Sequence, residues 1–134
     1  MEVFINIGTT NELKAMGYYS SIGFEIFIPV DTSRVDFIAH KDGELIKVQV
    51  KTLAKRRYKG TEYDVAILSS RRSGGQGSYE LSELDECFVV GAGVGWRIPY
   101  SMVHPSMSVM LGSNKETYSP KHNYPVSEWE VSIH

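Results

Sequence analysis

The 134-residue chain has the length of one ordinary domain that can bury a core unaided. At 42% hydrophobic and 22% charged, it carries no apolar run near the roughly 18 residues of a membrane span. Its single cysteine, Cys87, excludes an intrachain disulfide and a cysteine-built zinc site. The net charge of −2 argues against a nucleic-acid partner only until it is mapped: residues 47–72 hold eight cations against two anions, +6 there and −8 elsewhere, which predicts a basic face.

The opening stretch MEVFINIGTTNELK lacks the basic region and long apolar segment of a secretory leader, so the cytoplasm is the expected compartment. From residue 9 to 23 the pattern predicts a helix, with Thr9 as N-cap, Glu12 three residues on as in a capping box, and Gly23 at the exit. FEIFIPV (24–30) alternates and predicts a strand that Pro29 brings toward its end. RVDFIA (34–39) and LIKVQVKT (45–52) flank KDGE, and Asp-Gly between alternating segments is a strong hairpin signal. YDVAILSS (63–70) and ECFVVGA (86–92) are apolar runs of strand length, with Cys87 expected as a small buried hydrophobe. Between them, RRSGGQGSYELSELD is expected to be a mobile loop with a helical turn from Leu81. WRIPYSMV predicts a strand running into a helical start, and beyond Pro105 only WEVSI (129–133) reads as a strand. One helix followed by many strands predicts an α+β or α/β domain spanning 1–134, a mixed central sheet flanked by helices.

Two superficial motifs are set aside. GAGVG (91–95) lacks the helix that a dinucleotide fingerprint requires and reads as a tight strand connection. His122, Asn123 and His134 occur in the order of an H-N-H site, without the strand and helix context that its chemistry needs.

The hairpin has arithmetic consequences. With Asp42 and Gly43 as the central residues of a type I′ turn, Lys41 faces Glu44 and Asp36 faces Gln49. Lys51 is the diagonal neighbour, and such neighbours lie about 7 to 8 Å apart, within reach of a long side chain. Alternation sends Ile46, Val48 and Val50 to one face and Lys47, Gln49 and Lys51 to the other. A carboxylate, an amide oxygen and an ammonium on one patch do little for folding, since exposed ion pairs are worth about 0 to 1 kcal/mol. They suit phosphate chemistry at a divalent cation. Mg²⁺ prefers oxygen ligands and takes one or two carboxylates plus substrate phosphate, a role open to Asp36, while Lys51 can stabilise charge building on phosphate. Gln49 offers only a neutral carbonyl oxygen, so another carboxylate should complete the set. Glu12 is the candidate, with the capping box as its competing role.

These residues resemble the PD-(D/E)XK nuclease superfamily, whose signature is an acid on one strand of a hairpin and acid-x-Lys on the next. Here it reads Val35-Asp36, then Gln49-Val50-Lys51, with Glu12 as the helical acid. Val35 stands where the motif has proline, and Gln49 replaces the acid. The order of helix acid, strand Asp and Q-V-K-T is most similar to the group I intron-encoded homing endonucleases of this class and to related resolvase-like nucleases. The similarity covers about 8–103 and leaves 104–134 as a C-terminal extension. The resemblance implies a restriction-endonuclease-like core that hydrolyses phosphodiester bonds in double-stranded DNA with Mg²⁺ (or Mn²⁺ in its place), as a homodimer or tetramer. It makes Asp36, Glu12 and Gln49 metal ligands and Lys51 the electrostatic stabiliser. A junction resolvase, a restriction-type enzyme and a non-catalytic DNA-binding module on the same fold are the alternatives.

DNA contacts are expected from Lys47, Lys55, Arg56, Arg57 and Lys59, which meet phosphates without reading sequence. Arg71, Arg72 and Gln76 are the candidates for base edges in the major groove.

Overall fold

The computed structural model describes residues 7–30, 34–72, 75–111 and 126–133. In chain order these form α1 (Ile7–Ser21), β1 (Glu25–Phe27), β2 (Phe37–Lys41), β3 (Glu44–Thr52), β4 (Ala54–Tyr58), β5 (Thr61–Ile67), β6 (Ser70–Arg72), β7 (Gly75–Gly77), β8 (Glu86–Val90), β9 (Val94–Pro99), α2 (Tyr100–Val103), β10 (Ser108–Leu111), α3 (Val126–Trp129) and β11 (Glu130–Ser132). The expected fold class holds: a mixed α+β structure around a six-stranded sheet of order β1-β2-β3-β8-β9-β11. Its β3–β8 pair is parallel and its other pairs are antiparallel.

The Asp-Gly hairpin folds in the expected register. Asp42 and Gly43 both take positive φ, 51° and 79°, as a type I′ turn demands, and the ladder runs from Lys41↔Glu44 to Phe37↔Val48. Alternation along β3 and β8 then builds two cores. Ile46, Val48, Val50, Phe88 and Val90 pack with Ala15 and Tyr19 of α1 on one face. Cys87 and Val89 face the other way and join Ala66, Leu68, Trp96, Ile98, Val109, Leu111 and Trp129. That second face is covered by a smaller sheet, β10-β5-β4, together with α2 and α3, rather than by a long helix. Parallel strands require a long crossover; here the β3-to-β8 connection carries β4–β7, of which β4 and β5 form the small sheet with the later β10.

Several local expectations are corrected. The helix already runs from Ile7, so Thr9 lies inside it and is not the N-cap. Its other end is as expected. Gly23 at φ +100° donates to the Ser20 carbonyl at 3.1 Å and Phe24 to the Tyr19 carbonyl at 3.0 Å, a Schellman motif whose apolar contact is the Tyr19–Phe24 ring pair. KRRYKG, for which the sequence predicts no element, is one arm and the turn of the β4–β5 hairpin, with Lys59 and Gly60 at positive φ. The expected mobile loop after β5 contains the two-stranded ribbon β6–β7, while the turn expected at Leu81 is present, closed by the Glu83 amide donating to the Glu80 carbonyl at 3.0 Å. Beyond Pro105 the expected strand at WEVSI is β11 of the central sheet, and β10, which the sequence does not predict, joins the small sheet. His122, Asn123 and His134 lie outside the described residues. Among the described residues, no helix is long and apolar enough to cross a membrane.

α1 is pinned to the sheet by polar contacts as well as apolar ones. The buried Tyr19 hydroxyl donates to Glu86 Oε1 at 2.6 Å, and Arg97 Nε donates to the same carboxylate at 2.8 and 3.1 Å while its guanidinium lies 5.1 Å from the Tyr19 ring centroid. Arg97→Leu leaves Glu86, whose side chain is only 15% exposed, without its cation. A loss of about 3 kcal/mol in urea-unfolding free energy is expected, at the lower end of the scale for breaking a buried pair.

Candidate active site

Asp36 occupies a bend immediately before β2, where the ladder with β3 stops. Its own amide donates to the Val48 carbonyl at 2.9 Å, and its carboxylate takes over the next rung by accepting the Val50 amide at 2.7 Å on Oδ2. The peptide so engaged joins Gln49 to Val50, which holds the carboxylate beside Gln49 as the hairpin arithmetic requires. Gln49 and Lys51 lie on the β3 face opposite Val48 and Val50, half-buried, with Cys87 and Val89 of β8 alongside in the parallel register.

Glu12 reaches this point from α1. Its carboxyl is pushed up to about 7 by burial first, then by a hydrogen bond to Asp36 and by the Asp36 charge. With Thr9 inside α1 the expected capping box has no N-cap, and Asp36 is the group whose hydrogen bond and charge raise the Glu12 carboxyl. The adjacent Asn11 is buried and donates to Thr52 Oγ1 at 2.7 Å, tying the same turn of α1 to the residue after Lys51.

Lys51 is anchored from the far side. Its ammonium donates to the Ser69 carbonyl at 3.2 Å and stands 5.6 Å from the Tyr79 ring centroid. Burial lowers its pKa and the nearby Arg34 charge adds to that, while Cys87 and Asp36 oppose it. Cys87 is fully buried, and burial pushes its thiol up to about 12, as expected for a packing residue.

The oxygen set suits a hard cation. Asp36 and Glu12 supply carboxylates, and Gln49 Oε1 is a buried oxygen without a hydrogen-bond partner. Buried polar atoms are rarely left so, and an oxygen in that state matches a ligand position. The other unpartnered buried atom among the described residues, Trp96 Nε1, is a donor and has no such use. No group of three His, Cys, Asp or Glu residues that could hold a metal ion gathers among the described residues.

The family comparison bears on this geometry. A family model for PD-(D/E)XK endonuclease matches residues 5–91, which contain Glu12, Asp36, Gln49 and Lys51. The chain belongs to this family. Among solved structures, a bacterial homing endonuclease, I-Ssp6803I, superposes with a TM-score of 0.66 at 17% identity, covering 90% of this chain and 83% of that one. At that identity the likeness concerns the fold. MepB superposes with a TM-score of only 0.40 at 6% identity, covering 89% of this chain and 96% of that one. No curated protein matches the sequence.

The cations expected to meet DNA separate into three groups in this PD-(D/E)XK chain. Lys47 is tied down: its ammonium donates to the Ser82 carbonyl, its amide to Asp85 Oδ2 at 2.8 Å, and its carbonyl accepts from Asp85 at 2.9 Å. Lys55, Arg56, Arg57 and Lys59 are exposed on the β4–β5 hairpin, where Lys55 pairs with Asp64 and Arg57 stands opposite Glu62 in the ladder. Arg71 pairs with Gln76 in the β6–β7 backbone ladder beside Arg72, and the side chains of these three lie outside the described residues. Sequence reasoning did not find Ser69, Tyr79 or Arg34, the neighbours of the Lys51 ammonium. Only Arg34 carried a signal, since it shares the alternation of Asp36 two residues on.

Proposed function

We propose that the 134-residue chain acts as one nuclease domain in the cytoplasm, hydrolysing phosphodiester bonds of double-stranded DNA at specific sites with Mg²⁺, for which Mn²⁺ substitutes. The observation that carries this reading is the meeting of Asp36, Glu12 and the unpartnered Gln49 Oε1 beside an anchored Lys51. Asp36, Glu12 and Gln49 would hold a divalent cation, which would lower the pKa of a water and offset phosphate charge. Asp36 is aimed by the Val50 amide, and Glu12 joins the set as it loses its proton. Gln49 adds an oxygen without adding charge. The Lys51 ammonium, fixed by Ser69, stabilises the negative charge that grows on the phosphoryl oxygens while water adds to phosphorus and one P–O ester bond breaks, the departing oxygen leaving with a proton.

Cutting both strands requires two sites, which a homodimer or tetramer supplies, symmetric assembly being usual for small proteins. The homing reading draws support from the fold shared with I-Ssp6803I and from the Q-V-K-T order. The exposed hairpin cations supply affinity for the backbone, and the β6–β7 ribbon is the element we assign to base edges.

The test is Mg²⁺-dependent cleavage of a large random DNA library, with the product ends sequenced. Recurrent discrete sites support the homing or restriction reading. Cuts confined to branched substrates move the assignment to a junction resolvase. Gln49 in place of an acid motivates a rival, a non-catalytic DNA-binding module, which wins if calorimetry with DNA present shows no divalent-ion uptake and no cleavage occurs.

A further inference from the structure

Arg34 is absent from the set of oxygens and the ammonium just described, yet it converges on the same place. Its guanidinium carbon lies 4.8 Å from the centroid of the Tyr79 ring, the ring that also carries the Lys51 ammonium at 5.6 Å. Tyr79 is 4% exposed and is fixed in turn, its carbonyl accepting the Tyr100 hydroxyl at 3.0 Å and its ring standing edge-on to that of Tyr100. One rigid aromatic platform thus holds two cations next to Asp36. Such a cluster is costly without an anion, because like charges close together in a half-buried place repel.

Beside Asp36, Glu83 supplies a second anion, its Oε2 accepting Arg34 Nη1 at 2.9 Å. That bridge is half-open to solvent, with side chains 30% and 28% exposed. Glu83 also serves its own turn, because its Oε1 accepts the Glu80 amide at 2.9 Å and closes the bend after Tyr79. Its position therefore does not depend on Arg34. A guanidinium stacked on an aromatic face and bridged at its edge keeps donors in a fixed fork, the arrangement that suits a phosphate diester.

We propose that Arg34 is a DNA-phosphate-binding residue of this site, taking the backbone phosphate beside the scissile bond together with Lys51 and exchanging Glu83 for that phosphate when DNA enters. The inference rests on the nuclease reading above and adds to it a residue and an exchange.

The test is equilibrium binding of short duplex DNA across a salt series, without divalent ions, followed by Mg²⁺-dependent cleavage. Each phosphate contact steepens the slope of log affinity against log salt by about 0.9. Arg34→Gln is expected to flatten the slope by that amount and to weaken binding roughly tenfold, the scale of one charge-assisted hydrogen bond. Glu83→Gln keeps an oxygen for the Glu80 amide but gives up its charge, so it is expected to bind DNA as tightly as wild type or more tightly. Wild-type affinity and slope in Arg34→Gln overturn the proposal. So does a Glu83→Gln variant that weakens binding as Arg34→Gln does, because Arg34 would then serve only as a strut for the turn. Should Arg34→Gln fail to fold, Glu83→Gln alone decides by the direction of its change. A wild-type protein that neither binds nor cuts DNA removes the nuclease reading itself, whereas one that does both beside an unaltered Arg34→Gln removes this assignment alone.

Discussion

Lys51→Met is expected to reduce DNA cleavage by about 10²- to 10³-fold while the protein stays folded, with unfolding free energy within about 1 kcal/mol of wild type. The two effects separate because the ammonium does different things in the two processes. In folding, burial disfavours its charged form, and the hydrogen bond to the Ser69 carbonyl offsets part of that cost. Methionine has nearly the same length and no charge to desolvate, so it gains on one side what it loses on the other. In catalysis methionine offers the phosphate no charge, so the stabilisation supplied by the Lys51 ammonium is lost. The folded-state pKa of Lys51 lies below 10.5, so the folded chain holds fewer protons than the unfolded chain between the two values. The penalty on folding is full below the folded pKa and fades as pH rises through it, so wild-type stability climbs in that alkaline window and the Met variant lacks the climb. Single-turnover cleavage and urea melts at two pH values read both effects. Undiminished cleavage by Lys51→Met removes Lys51 from the chemistry.

Much of this site was legible because a strand has period two and an Asp-Gly turn fixes register. From those facts alone Asp36 falls opposite Gln49 and Lys51 one pleat further, and the ladder from Lys41↔Glu44 to Phe37↔Val48 carries that pairing. The limits have physical causes. Glu12 fits a local capping box and a distant carboxyl partner equally well on paper, and only the packing of α1 against β3 decides for Asp36. Lys55, Arg56 and Arg57 hid a strand because basic residues carry little β-propensity; the register that makes them one is set by Tyr63 and Val65 across the ladder, both buried. Ser69 and Tyr79 reach Lys51 from the β3-to-β8 crossover that carries β4 and β5, a contact between segments no local pattern links. Glycines around Gln76 obscured the β6–β7 ribbon in the same way, since they report backbone freedom and not direction.

Asp36→Asn carries the largest expected loss of activity, about 10³-fold or more, because it takes the charge from the carboxylate at the centre of the oxygen set and with it stabilisation worth several kcal/mol. The fold should tolerate it, since the amide oxygen of Asn can still accept the Val50 amide that Asp36 Oδ2 accepts at 2.7 Å. Its second consequence concerns Glu12, whose carboxyl sits at about 7 through burial, the hydrogen bond to Asp36 and the Asp36 charge, in that order. The raised value means that the folded chain keeps a proton that the unfolded chain has released between 4.5 and about 7. Stability from this group is therefore full below 4.5 and is lost as pH rises through about 7. Divalent-ion binding runs the opposite way, because a carboxyl must give up its proton to serve as a ligand. Wild-type affinity for Mg²⁺ or Mn²⁺ should rise with pH up to about 7 and level off above it, measured by calorimetric titration at several pH values. In Asp36→Asn the burial contribution stays and both Asp36 contributions go. Carbon NMR should then place the Glu12 carboxyl lower than in wild type, and the metal-free variant should lose less stability between about pH 5 and pH 8. A Glu12 titration that ignores Asp36→Asn would separate the two carboxyls, and an ion affinity flat across neutral pH would take Glu12 out of the ligand set.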